Sequence, residues 1–273
     1  MKEQIHIQRM TAGSFVGKTF IISDLHSPFE DKPSIEKVKQ KIKDFKPDRL
    51  IVNGDAADCF LASRFVEATL GKHILGDAPD IPSEMKYMVT LLDSLADECP
   101  AKCELIFICG NHELRIERQL DRIRHIVGQD YDPMRNAFAS SKYHGEEKRW
   151  FISREFPHGR FVICDDRRFK IVVKHAGKGT GLNYAAATWR HGYAIHESYI
   201  IGDTHKTISF EGRNATNPRE RDDRFVVGIG FFGNLEEMAF HYIEETASSW
   251  WDRSVAEIHQ EKSGKFTLDV VYI

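Results

Sequence analysis

The sequence has no long apolar run. Its longest, Phe225 to Gly233, spans nine residues and includes three glycines, where a membrane helix needs about 20. No membrane partner is therefore expected. Cysteine is scarce too. The five, at 59, 99, 103, 109 and 164, are odd in number and never form C-x-x-C. That excludes a disulfide framework and points to buried free thiols in a reducing interior. Neither charge sign is in excess, with 38 Lys+Arg against 41 Asp+Glu. A protein that coats nucleic acid by bulk charge is excluded, while an enzyme with a local basic groove is not. The first ten residues are polar and lack the apolar core of a secretion signal, so a cytoplasmic protein is expected. There is no repeat, low-complexity tract or Pro/Gly/Ser-rich linker. We therefore expect one domain over 1–273, with an insertion at 129–157 that follows neither helical nor strand period.

What is present is an ordinary globular balance, 41% hydrophobic and 29% charged, with thirteen histidines as the one excess. Imidazole is the commonest metal ligand and acid–base group. Short apolar runs at 18–23, 49–53 and 103–109 alternate with helical patterns. Ile35, Val38, Ile42 and Phe45 share one helix face, with Ser34 as the expected N-cap after Pro33. Met85, Met88, Val89, Leu92, Leu95 and Ala96 share a second, and Ile116, Leu120, Ile123 and Val127 a third. This is the order of an α/β domain with a largely parallel sheet. The second half reads mostly as strands, at 161–164, 169–174, 199–202, 225–232, 253–258 and 266–272, with one helix at 185–195.

Polar residues gather where the apolar runs stop. The first run ends in Ser23-Asp24-Leu25-His26, the second in Asn53-Gly54-Asp55-Ala56-Ala57-Asp58, the third in Gly110-Asn111-His112-Glu113. Later runs end in Lys174-His175 and in Gly202-Asp203-Thr204-His205. Alone, each fragment is an ordinary turn or helix start. In α/β folds, however, ligands gather at the carboxyl ends of strands. Five such ends would deliver carboxylates, imidazoles and an amide to one edge, a mixture suited to divalent cations.

The set D-x-H, G-D-x-x-D, G-N-H-E, a lone His and G-x-T-H, running from Asp24 to His205, resembles the calcineurin-like metallophosphoesterases. The resemblance implies an α/β fold, a two-sheet β sandwich flanked by helices (αββα), and two divalent metals at the sheet ends. Mn is the first choice of metal, with Mg, Zn, Fe or Ni as others. It implies that Asp24, His26 and His205 hold one metal, that Asn111 and His175 hold the other, and that Asp55 bridges them. It implies that His112 acts beside the scissile phosphate as proton donor or phosphate stabiliser. Two positions depart from the pattern. The family usually has G-H-T-H, whose first His binds the second metal, and Asp203 stands there. The lone His is usually followed by Gly, and Ala176 follows His175. With Asp203 as a ligand, three carboxylates replace two, which tilts the second site from zinc towards Mn or Mg.

The expected function is two-metal hydrolysis of phosphoesters, a phosphodiesterase or nuclease using a metal-bridging hydroxide. A phosphoester, DNA or a nucleotide is the expected partner. A phosphomonoesterase or protein phosphatase is the alternative. So is a binding module that keeps the fold without the activity. The motifs read G-D-A-A-D-C-F and G-N-H-E-L-R-I, not the G-D-x-V-D-R-G and G-N-H-E-x-x-x-I-N of the protein phosphatases in this superfamily. Asp58 and Glu113 read either as groups that orient ligand imidazoles or as plain turn carboxylates. Arg115 is placed to clamp a phosphate, whereas Arg118 and Arg122 read as a solvated face. Lys142, Lys148, Arg149 and Arg154, interleaved with Tyr143, Trp150 and Phe151, form a basic–aromatic stretch that could hold a nucleotide or single strand, although Glu146, Glu147 and Glu155 dilute its charge. Ser63-Arg64-Phe65 either lines the same mouth or starts a helix.

Overall fold

The computed structural model describes residues 5–10, 15–62, 79–128, 130–145, 149–154, 159–166, 169–176, 188, 197–211, 224–237 and 251–273. Two sheets pack face to face. The larger contains β1 (Ile5–Met10), β2 (Gly17–Ile22), β3 (Arg49–Asn53), β4 (Glu104–Ile108), β5 (Trp150–Ser153), β11 (Ser254–Gln260) and β12 (Lys265–Tyr272). Their order is β1-β12-β11-β2-β3-β4-β5. The smaller contains β6 (Arg160–Asp166), β7 (Phe169–Lys174), β8 (Glu197–Ile201), β9 (Ile208–Glu211) and β10 (Phe225–Gly228), ordered β6-β7-β8-β10-β9.

The side-chain alternation of the strands builds the layers. Phe20, Ile22, Leu50, Val52, Leu105 and Phe107 face the helices. Ile21, Ile51, Ile106 and Ile108 point the other way, onto Ile171, Val173, Ile200 and Val227 of the smaller sheet. These strands are buried on both faces, as their unbroken apolar runs predict. Each such side chain contributes about 1.5–3 kcal/mol of burial.

Helices α1 (Lys32–Phe45), α2 (Ile81–Asp97), α3 (Asn111–Val127) and α4 (Pro133–Phe138) cover the larger sheet. The expected faces of α1 and α2 are the buried ones. The cap of α1 differs from expectation. The helix starts earlier, Pro33 falls in its first turn, and Asp31 is the N-cap, accepting from the Ser34 amide at 3.1 Å and from the Ser34 hydroxyl. Ser34 is thus a buried donor inside the helix. The helix read at 185–195 lies outside the described residues, apart from Thr188.

Strands β2, β3 and β4 run parallel, as do β7 and β8. Their carboxyl ends therefore open on one edge. The stretch 129–157, read as a loop-like insertion, contains α4 and edge strand β5, which pairs with β4 through Leu105–Ile108. All five cysteines are free and buried. No helix among the described residues is long and apolar enough to cross a membrane.

Candidate metal centre

Every site residue expected from the motifs falls at that edge. Asp24 and His26 follow β2, Asp55 follows β3, Asn111 and His112 open α3 after β4, His175 follows β7, and Asp203 and His205 follow β8. Five of them, Asp24, His26, Asp55, Asp203 and His205, hold φ between 48° and 63°. A left-handed backbone at non-glycine residues costs energy and persists where surrounding structure enforces it. Neighbouring loops supply that enforcement. The Asp24 amide donates to Gly54 O at 3.0 Å and the His26 amide to Asp55 O at 2.9 Å. Gly202 is a glycine because an added Cβ would strike Ser23 Oγ and approach Asp24 Oδ2 to 2.6 Å.

The imidazoles are anchored through Nδ1. His26 Nδ1 meets Asp58 Oδ2 at 2.8 Å and His175 Nδ1 meets the Asn53 carbonyl at 2.7 Å. Nε2 is therefore the nitrogen each can offer a cation. His205 Nε2 lies 3.2 Å from Asp24 Oδ1, and His175 Nε2 lies 3.0 Å from Asp55 Oδ2. Two metal-capable groups result, Asp24–His26–His205 and Asp24–Asp55–His175. A third, His26–Asp58–His112, shares His26 with the first. Asp24 is thus the carboxylate common to the two groups of expected ligands. Asp55, the bridge that the resemblance implies, belongs to one of them and is held well below the usual carboxylate range. Burial opposes that shift, and His112, His175 and His26 outweigh it.

Asn111 shows best that the residues fit a metal. Its amide oxygen sits 3.1 Å from His175 Nε2, and the same end of the side chain lies 3.3 Å from Asp55 Oδ2 and 3.1 Å from Asp203 Oδ1. Three oxygens and an imidazole nitrogen thus converge. A cation among them would satisfy all four, and an amide turned to present NH2 or a protonated His175 relieves the crowding of acceptors as well. Asp203 Oδ1 stands 4.0 Å from His175 Nε2, and the Asp203 amide donates to both Asp24 oxygens at 3.2 Å. The aspartate in place of the family's histidine therefore faces the second group of donors and also fixes Asp24.

Burial works against charge on His175 and His26. The facing carboxylates outweigh it, Asp55 and Asp24 at His175 and chiefly Asp58 at His26, and raise both rings. The cavity thus calls for positive charge. His112 goes the other way, to about 4, because burial dominates the opposing pull of Asp55, with His26 and Arg115 adding to the depression. Its Nδ1 lies 2.5 Å from the Asp58 carbonyl and its Nε2 2.8 Å from an Arg115 nitrogen. Arg115 therefore lies against His112, one residue removed from the carboxylates.

Asp58 orients His26, as one reading of the sequence had it. Glu113 orients backbone instead of an imidazole. It accepts from the amides of Gly110, Ala57 and Asp55 at 2.6, 2.9 and 3.1 Å, tying two ligand loops together.

Sequence reasoning missed two features. Phe231 and Trp251 wall the site, with ring centroids 4.6 and 4.1 Å from that of His205. Glu84 of α2 is buried beneath it and accepts from the Cys59 amide. The G-F-F-G run around Phe231 and the isolated Glu84 carry no pattern that marks them. Ser63-Arg64-Phe65 lies outside the described residues.

The profile of the calcineurin-like phosphoesterases matches residues 17–206. The chain belongs to this family. Calcineurin-like phosphoesterases are metal-dependent and use a binuclear divalent centre, which the donor set described above suits. No curated protein sequence matches the chain. Among solved structures, a single mutant of Vps29 from Entamoeba histolytica aligns at 11% identity and TM-score 0.39, over 94% of this chain and 99% of that one. Vps29 from Cryptosporidium parvum aligns at 11% and 0.43, over 95% and 99%. The Pseudomonas putida nuclease MPE aligns at 11% and 0.29, over 90% and 84%.

Proposed function

We propose that this calcineurin-like phosphoesterase hydrolyses phosphodiesters, with DNA or a nucleotide as the substrate class. The observation behind this choice is Asp203. Asp24, Asp55 and Asp203 put three carboxylates among the expected ligands, where a histidine at 203 would leave two. A monoester carries up to two negative charges and a diester one, so the third carboxylate disfavours the monoester more.

Asp24, His26 and His205 would hold one cation and Asn111, His175 and Asp203 the other, with Asp55 as the bridge that the resemblance implies. Two divalent cations so held would withdraw charge from the phosphoryl oxygens and acidify water. His112 is neutral at neutral pH in the free site. Its Nδ1–H donates to Asp58 O, and its Nε2 accepts from Arg115. For His112 to act as the acid, Nε2 must give up its contact with Arg115 and take a proton from solvent. An anionic ester beside the ring favours that uptake, and the same proton then passes to the leaving oxygen. Arg115 contributes fixed positive charge at the same place, and the N-terminus of α3 adds to it.

The test compares bis-p-nitrophenyl phosphate with p-nitrophenyl phosphate. The diester should have the higher kcat/KM, and Asp203→His should move the ratio towards the monoester. A preference for the monoester in the native chain contradicts the proposal.

A further inference from the structure

The basic–aromatic stretch is reorganised by the fold. Lys142 pairs with Asp97, and Tyr143 Oη donates to the same carboxylate at 2.7 Å. Trp150 is buried, with Nε1 on Asp93 at 3.0 Å, and Arg154 pairs with Asp132 at 2.6 Å. Lys148 lies outside the described residues. Arg149 and Phe151 are left over. They join Arg135 of α4 and His144 around a cavity of about 330 Å³ at the β5 edge of the larger sheet. Its described lining has no carboxylate. Arg135 and Arg149 are exposed, and neither side chain has an acidic partner among the described residues. Phe151 is 53% exposed, with the Arg149 guanidinium 5.3 Å from its ring centroid.

We infer that this cavity holds one nucleotide of a single-stranded nucleic acid, Arg135 and Arg149 taking phosphates and Phe151 stacking a base. The site deepens the diesterase reading and rests on it for its purpose. Guanidinium groups match phosphate oxygens bidentately, and every base offers a face to an exposed ring. A base within a duplex is already stacked, so the Phe151 ring selects an unpaired strand. Phe151 is in register with Ile106 of β4, two residues before that strand ends at Ile108 and five before Asn111, a span of at most about 16–18 Å of extended chain. A few nucleotides bridge that distance to the metal centre.

The experiment measures anisotropy of a labelled oligothymidylate with the full chain in EDTA, across a salt series. Phe151→Ala should weaken binding at least about fivefold, the low end for a lost stack. Arg135→Gln/Arg149→Gln should weaken it further and flatten the log–log salt slope by about 1.4, or 0.7 for each phosphate contact on a single strand. Both variants are exposed-surface changes and should keep native circular dichroism and native turnover of bis-p-nitrophenyl phosphate with Mn²⁺. Equal affinity for duplex, wild-type binding by both variants, or no oligothymidylate binding at low salt overturns the inference. If the native chain binds as described but turns over no diester, the diesterase reading fails and the nucleotide site stands.

Discussion

Asp55 and Asp24 compete for the bridging role, and substitution separates them. Asp24 is shared by the two ligand groups, whereas Asp55 feels the charge of imidazoles on both sides. The resemblance assigns the bridge to Asp55. Asp55→Asn should then lose both metals by elemental analysis, and Asp24→Asn only one. The reverse pattern moves the bridge to Asp24. His112 is expected to act on substrate and not on metal. His112→Gln should keep its metal content and lose roughly 10²–10⁴-fold in rate. The loss should be smaller for p-nitrophenyl than for alkyl leaving groups, since the former need little protonation. Equal losses speak against proton donation. The gathering of these residues at one edge was legible in the sequence because each directly follows an apolar strand, where polar residues have few other reasons to recur. The positioning of Glu113 on three amides was not legible, since backbone partners leave no mark on side-chain spacing.

At the level of elements, the strands that sequence reading missed are β1, β5 and β9, and all three lie at sheet edges. An edge strand lacks a neighbour on one side, and two of these three are short. Trp150–Ser153 and Ile208–Glu211 have four residues each, too few to display a period. The central strands and the faces of α1 and α2 were legible because burial on both sides, or along one stripe, leaves an unbroken apolar record. Helix α2 also positions the most perturbed carboxyl away from the metal ligands. Burial, reinforced by Asp58, pushes Glu84 up to about 8. Its folded proton affinity exceeds that of the unfolded chain. The stability it lends is therefore fully present below about pH 4.5 and is lost as pH rises to about 8. The amount is on the order of a few kcal/mol. Glu84→Gln keeps an acceptor for the Cys59 amide and removes the titration. Chemical denaturation between pH 5 and 8 should show a flatter stability profile in that variant than in the native chain. Parallel profiles would mean that Glu84 is ionised throughout.

Over the whole molecule, the two sheets act as one frame. Parallel strands from both bring their carboxyl ends to a single edge, and loops from opposite halves of the chain lock there. Phe232 donates its amide to Asp24 O at 2.8 Å, and Asp252 donates its amide to His205 O at 3.0 Å. Residues beyond the family match at 17–206 thus buttress residues within it. Such a frame holds charged groups close together before any substrate arrives, which is what a two-cation phosphoesterase requires. It would serve equally to hold ions in a module without turnover. The measurement that separates these is hydrolysis of bis-p-nitrophenyl phosphate by metal-stripped protein titrated with Mn²⁺, alongside direct measurement of bound metal. The account predicts turnover that rises with occupancy towards two ions per chain and vanishes with chelator. Two bound ions with no hydrolysis of any phosphoester would contradict it.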